Sequence, residues 1–225
     1  MPMGKAAVFV EPHRFEMTEL PAPPVEPGGI LVKITAAGIC GSDLHYWRGE
    51  MIPMVSGEPG PVILGHEMTG FVHTLGADVS TDSLGRPLKE GDRVAYTYFF
   101  PCRRCYVCLR GEFNHCPSRF RHRASVKEFP YADGGFSDYF YLRPNHFVFK
   151  VPDELPDSAV TPVNCAVSQV VYAIRKSGMR MGDSVVVQGA GGLGLNAIAA
   201  AKEAGAGQVI AIDGLANRLS LAVQC

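Results

Sequence analysis

Apolar and polar positions alternate in short runs through the first two thirds of the chain. Ala6–Val10, Ile30–Ala36, Gly70–Leu75, Arg93–Tyr98 and Phe147–Val151 each carry β-branched or aromatic residues bounded by glycine, proline or acidic turns. Short strands with such punctuation predict an antiparallel barrel or sandwich. Asp82 to Gly91 reads as a polar connection, and Gly91-Asp92 as a turn into the next strand.

The period changes after about Leu155. Val167, Val170, Val171 and Ile174 recur at helical spacing, predicting one helix over Ser158–Ser177. Ser184–Gln188 is an uninterrupted apolar strand that reads as buried on both faces. Gly189–Gly194 is a glycine-rich turn, followed by a helix with Leu193, Ala197, Ala200, Ala201 and Ala204 on its apolar side. Gly205–Gly207 ends that helix, Val209–Asp213 is a second strand, and a further helix begins at Asn217. A strand, a crossover helix and a second strand make a parallel β-α-β unit. The fold class is therefore mixed α/β, with a β domain over residues 1–155 and a parallel β-α-β region over 156–225.

Composition narrows the function classes. The chain has 225 residues, 47% of them hydrophobic and 19% charged, with a formal net charge of −1. That balance suits a globular protein, and the lack of a basic tract argues against a nucleic-acid binder. The most apolar stretch, Val185–Ala201, is interrupted by Gln188, Asn196 and several glycines, so no membrane span is expected. Ala6–Val10 is too short for a signal peptide, and the expected location is cytoplasmic. Seven cysteines in a reducing compartment point to metal ligation or catalysis before disulfides.

Two motifs carry chemistry. Gly189-Ala190-Gly191-Gly192-Leu193-Gly194 is G-x-G-x-x-G at the end of a strand and the start of a helix, with Asp213 closing the next strand. In that context the glycines let the backbone approach a pyrophosphate, and the helix N-terminus offers N–H donors. A carboxylate at Asp213 would bind ribose hydroxyls and repel a 2′-phosphate, favouring NAD over NADP. Cys102, Cys105, Cys108 and Cys116 form C-x2-C-x2-C-x7-C, four soft donors that close a tetrahedron around a structural zinc. An iron–sulfur cluster is the competing expectation, but the final spacing does not match and a second cluster motif is missing. Cys40, His66 and Cys165 stand far apart in sequence. Gly70 occupies the position where H-E-x-x-H would need its second histidine, which removes that metalloprotease pattern.

Together these residues resemble the zinc-dependent medium-chain dehydrogenase/reductase family, the alcohol and polyol dehydrogenases. Gly38-Ile39-Cys40-Gly41-Ser42-Asp43-Leu44-His45, Gly65-His66-Glu67, the four-cysteine lobe and Gly189–Gly194 occur in that family's order over essentially the whole chain. Gly38–Trp47 is most similar to the sorbitol dehydrogenase branch. The resemblance implies a GroES-like β-barrel catalytic domain followed by a Rossmann domain. It implies two zinc ions, one structural and one catalytic, and NAD.

Residue by residue, Cys40, His66 and Cys165 match the ligands of the catalytic zinc, with Glu67 as an adjacent carboxylate. Asp43 matches a group that orients the histidine ligand, and Ser42 and His45 match a proton relay. Tyr98 matches a substrate-pocket side chain, and Arg218 a basic residue near the adenosine ribose. In such a site zinc acts as a Lewis acid on the alcohol, and the alkoxide carbon passes hydride to nicotinamide. The partner expected is a small alcohol or polyol, and complete relatives are expected to be homo-oligomers. A complete doubly wound domain has six strands, against the two legible after Met181, so the sequence reads as a truncated form. Two alternatives are carried: a non-catalytic zinc-binding fragment or isoform acting only as a binding or assembly partner, and a zinc-free quinone reductase relative.

Overall fold

The alternating segments of the first half fold as antiparallel strands. In the computed structural model, which describes residues 1–51, 60–120 and 125–225, β1 (Met3–Glu11) and β2 (Arg14–Pro21) form a hairpin paired from Met3↔Pro21 to Glu11↔Arg14. Its turn places His13 in the left-handed region at φ 65°. There the His13 N–H donates to the Trp47 carbonyl at 2.7 Å, and the two rings meet edge to face at 4.6 Å.

β3 (Ile30–Gly38) leads into the short helix α1 (Gly41–Trp47), and β4 (Val62–Ile63) adds a third strand beside β1. β5 (Glu67–Leu75), β6 (Arg93–Tyr96), α2 (Tyr106–Leu109), β7 (Tyr139–Leu142) and β8 (Val148–Lys150) follow. β3, β5, β6, β7 and β8 make a five-stranded antiparallel sheet in the order β7-β3-β5-β6-β8. Its core is a cluster that includes Val32, Met68, Val94, Tyr96 and Leu142, all essentially inaccessible. Fully burying each such side chain is worth about 1.5–3 kcal/mol.

Two features bend this sheet next to the functional residues. The β3–β5 register slips between Ile34 and Ala36, leaving Thr35 outside the ladder as a bulge. Opposite it, a Cβ on Gly70 would lie 2.1 Å from the Lys33 carbonyl oxygen, so glycine alone permits that approach. A further constraint comes from Asp82, which accepts hydrogen bonds from the Leu84, Arg86 and Lys150 N–H groups and from the Arg86 guanidinium. Burial opposes its charge, but these donors prevail and hold the carboxyl down to about 2.

Expected elements and observed ones differ in several places. The strand expected over Arg93–Tyr98 ends at Tyr96, and β2 and β7 were not legible as strands. The helix expected over Ser158–Ser177 is broken into α3 (Asp157–Val160), a 3-10 turn over Thr161–Asn164, and α4 (Ala166–Ser177). Pro162 explains the break, because it has no N–H for the Ser158 carbonyl and its ring crowds the preceding turn. Cys165 sits at the break with φ −127° and ψ −85°, as the residue capping α4.

The chain divides into two compact units, Met1–Asn164 and Cys165–Cys225. The first extends past residue 155 because Arg93 pairs with Asp157 at 2.9 Å and Val160 packs against Ala95 and Val151.

In the second unit α4 ends at Gly178, which adopts φ 75°. β9 (Ser184–Gln188), α5 (Gly192–Glu203), β10 (Gln208–Ile212) and α6 (Ala216–Ala222) then form the expected β-α-β arrangement, with β9 and β10 parallel from Gln208↔Ser184 to Ile212↔Gln188. Ala190, Ile198 and Ala222 centre its core, with Val187 and Val209 packed on it. The expectation that β9 is buried on both faces does not hold: Val186 is 58% exposed, and Ile210 and Ile212 beside it are also exposed. α5 covers the other face; among the described residues two strands make up this sheet.

Candidate metal centres and nucleotide loop

The four-cysteine lobe is built by local turns. Cys105 caps α2, Cys108 lies inside it, and a 3-10 turn over Phe113–His115 delivers Cys116. Arg103 at φ 56° and Gly111 at φ 77° fold the segment back on itself. All four Sγ atoms lie within 4.8 Å of one another, and Cys105 and Cys116 are 3.9 Å apart. A tetrahedron with metal–sulfur bonds of about 2.3 Å has edges of roughly 3.8 Å, which the Cys105–Cys116 separation matches.

The thiols are electrostatically unequal. The Arg104 backbone N–H draws Cys102 down to about 6, while burial and the neighbouring thiols push Cys108 up to about 12. A dication in their midst is the charge that lets all four ionise together.

A second donor group gathers around the end of β3 and the start of β5. Cys40 caps α1, and His66 precedes β5 directly after Gly65, which adopts φ 86° against the Phe136 ring. Cys40 Sγ, a His66 ring nitrogen and a Glu67 carboxylate oxygen lie within 4.8 Å of one another. Behind them Asp43 is 4% exposed. Its Oδ2 accepts the Cys40 N–H at 2.8 Å, and its Oδ1 stands 3.6 Å from His66 Nδ1 with no hydrogen-bond partner of its own. One carboxylate thus faces two members of the group. Tyr98 lies just past β6 with its ring 5.0 Å from that of His66, and it stacks on Phe120.

Cys165 is the first residue of the second unit. It is buried, and its Sγ accepts from Gln169 Nε2 at 3.5 Å. The residue before it is anchored in the first unit, where Asn164 Nδ2 donates to the Tyr96 carbonyl at 3.1 Å.

Ser42 and His45 share a face of α1 by their i,i+3 spacing. His45 is half exposed and its Nδ1 meets the Glu50 carboxylate. That contact holds the Glu50 carboxyl below its ordinary range, and the sequence reading missed it.

In the second unit Gly189 takes φ 94°, Gly191 caps α5, and Gly192, Leu193 and Gly194 form its first turn. A Cβ on Gly194 would lie 1.8 Å from the Gly189 carbonyl oxygen, which ties this turn to glycine. Asp213 accepts the Ala190 N–H at 2.8 Å and the Leu215 N–H at 2.9 Å, and Arg218 stands 3.5 Å from its Oδ2. These donors, Ala190 first, hold the Asp213 carboxyl below its ordinary range. Asp213 therefore fixes the loop.

The chain thus carries a β domain with two soft-donor groups, followed by a glycine-looped β-α-β unit. Residues 26–153 match the family model of the alcohol dehydrogenase GroES-like domain. The chain is 37% identical over 224 residues to the 5-exo-hydroxycamphor dehydrogenase of Pseudomonas putida, covering 99% of this chain and 60% of that protein. It is 35% identical over 209 residues to the sorbitol dehydrogenase of Bacillus subtilis, covering 93% and 55%. Among solved structures, an alcohol dehydrogenase from Thermotoga maritima superposes with a TM-score of 0.89 at 32% identity, covering 100% of this chain and 61% of that one. The chain belongs to the medium-chain alcohol and polyol dehydrogenases, through their GroES-like domain. It spans about 60% of the length of these relatives. Among the described residues no helix is long and apolar enough to cross a membrane.

Proposed function

We propose that the chain carries the catalytic zinc site, the structural zinc lobe and the dinucleotide loop of an NAD-linked alcohol or polyol dehydrogenase. The observation that carries this reading is the Cys40–His66–Glu67 group with Asp43 behind the histidine. Cys165 is the further thiolate, delivered by the helix break after Asn164, and the lobe cysteines hold the second ion. When bound, zinc supplies Lewis acidity at the substrate oxygen and nicotinamide accepts hydride.

The chain's own residues do the rest. Asp43 orients His66 and fixes which ring nitrogen faces the metal. Ser42 and His45 carry the hydroxyl proton away along α1, with Glu50 holding His45 in place. Tyr98 walls the substrate beside His66. Gly189 to Gly194 place backbone N–H groups against the pyrophosphate, and Asp213 takes the ribose hydroxyls with Arg218 alongside.

The test is NAD reduction over a panel of secondary alcohols and polyols, with metal counted by native mass spectrometry. Two zincs per chain and turnover are expected; a chain without zinc would end the reading. Gly194→Ala is expected to weaken NAD binding by at least about tenfold by calorimetry while leaving the metal count at two, since the new methyl displaces the loop. A zinc-binding protein without catalysis is the competing reading. Two bound zincs with no turnover on any substrate would support it.

A further inference from the structure

Arg93 performs a task that neither the metal groups nor the nucleotide loop account for. Its side chain is 8% exposed, and it reaches from β6 to three acceptors on one short stretch of chain. Nη1 donates to Asp157 Oδ1 at 2.9 Å, and Nη2 donates to the Pro152 carbonyl at 2.8 Å and the Asp153 carbonyl at 3.2 Å. Asp157 also accepts from the hydroxyl of Thr35, the residue that the bulge in β3 puts outside the ladder; this bond, followed by Arg93, holds the Asp157 carboxyl below its ordinary range.

The stretch stays tied to the same strand further along. Val160 packs on Ala95, Thr161 Oγ1 donates back to the Asp157 carbonyl at 2.6 Å, and Asn164 Nδ2 donates to the Tyr96 carbonyl. β6 therefore grips residues 152–164 at their start, middle and end. The next residue is Cys165.

We propose that Arg93 is a positioning residue for the Cys165 thiol, acting through the 152–164 segment. This rests on the reading of Cys165 as a metal ligand. A rigid planar fork can hold a carboxylate and two carbonyls in fixed relation, which a lysine ammonium cannot reproduce. A buried ion pair is weak evidence of a stability role. Here the pair addresses a run of backbone that ends directly before Cys165, so a small shift of that run carries the thiol with it.

The test uses the full chain loaded with zinc, following zinc transfer to a chromophoric chelator, with a Cys40→Ser variant assigning the two release phases. Arg93→Lys is expected to speed release from the Cys40–His66 site by about tenfold, the scale of lost support around metal ligands, and to leave the lobe phase unchanged. Asp157→Asn, which keeps a carbonyl acceptor, is the milder companion variant should Arg93→Lys fold poorly; it is expected to shift the same phase alone. Asp92→Asn breaks another ion pair, between the buried Asp92 carboxylate and the partly exposed Lys150 at 2.9 Å, without touching the segment, and is expected to leave both phases unchanged. Unchanged phases in folded Arg93→Lys and Asp157→Asn, or equal acceleration by Asp92→Asn, overturn the proposal. A wild-type chain that binds zinc at the lobe alone overturns the ligand reading itself, and the proposal with it.

Discussion

The two donor groups of the first unit are assembled in opposite ways. The lobe draws its four sulfurs from a single run, Cys102 to Cys116, folded by one short helix and two left-handed turns. The Cys40–His66–Glu67 group takes its members from the end of β3 and the edge of β5, with Cys165 expected from far along the chain, beyond β8. Closing a short loop around a metal costs little chain entropy, whereas the other group is held only while the barrel is folded. A local chelate therefore reports on itself, and a fold-assembled site reports on the sheet beneath it.

The largest effect expected is at the lobe. Cys116→Ala removes a fully buried donor, and structural zinc sites contribute about 10–16 kcal/mol to local folding. Native mass spectrometry should show one metal fewer per chain, and trypsin should cut at Arg103, Arg104 or Arg110. If the Cys40–His66 metal left as well, the two groups would not be independent. Next comes Asp43→Ala, expected to weaken metal binding at the Cys40–His66 group by about 10–100-fold while the lobe keeps its ion, as read by competition with a chelator.

Asp82→Asn gives the smallest effect, and it tests the dependence on the sheet. Its folded-state carboxyl lies at about 2, below its unfolded value, so its stabilisation is full above the unfolded value and fades as pH falls towards about 2. At pH 7 the substitution should cost about 2 kcal/mol in denaturant unfolding. The gap to wild type should close near pH 2. Metal release from the Cys40–His66 group should quicken modestly, and release from the lobe should not.

Legibility in the sequence follows the same division. The lobe and the glycine loop are each contained in one stretch, so spacing alone exposes their donors and turns. The Cys40–His66 group became legible through family resemblance, because no local pattern links its members. Arg93 and Asp157 stayed invisible, since a lone arginine in a strand looks like any exposed cation until the fold buries it. Pro162 was legible in principle; helical periodicity on both sides of it masked the break that sets Cys165 apart. β9 misled in another way. Its continuous apolar run reads as a doubly buried strand, yet Val186 and Ile210 face outward in a two-stranded sheet.

The hairpin contact of His13 with Trp47 has a use of its own. Trp47 is the single tryptophan of the chain and the last residue of α1, the helix that carries Ser42 and Asp43. Its indole is 40% exposed and meets an imidazole edge on. Excited at the red edge, the protein therefore emits from one known place, and the colour and lifetime of that light follow α1 without any attached label.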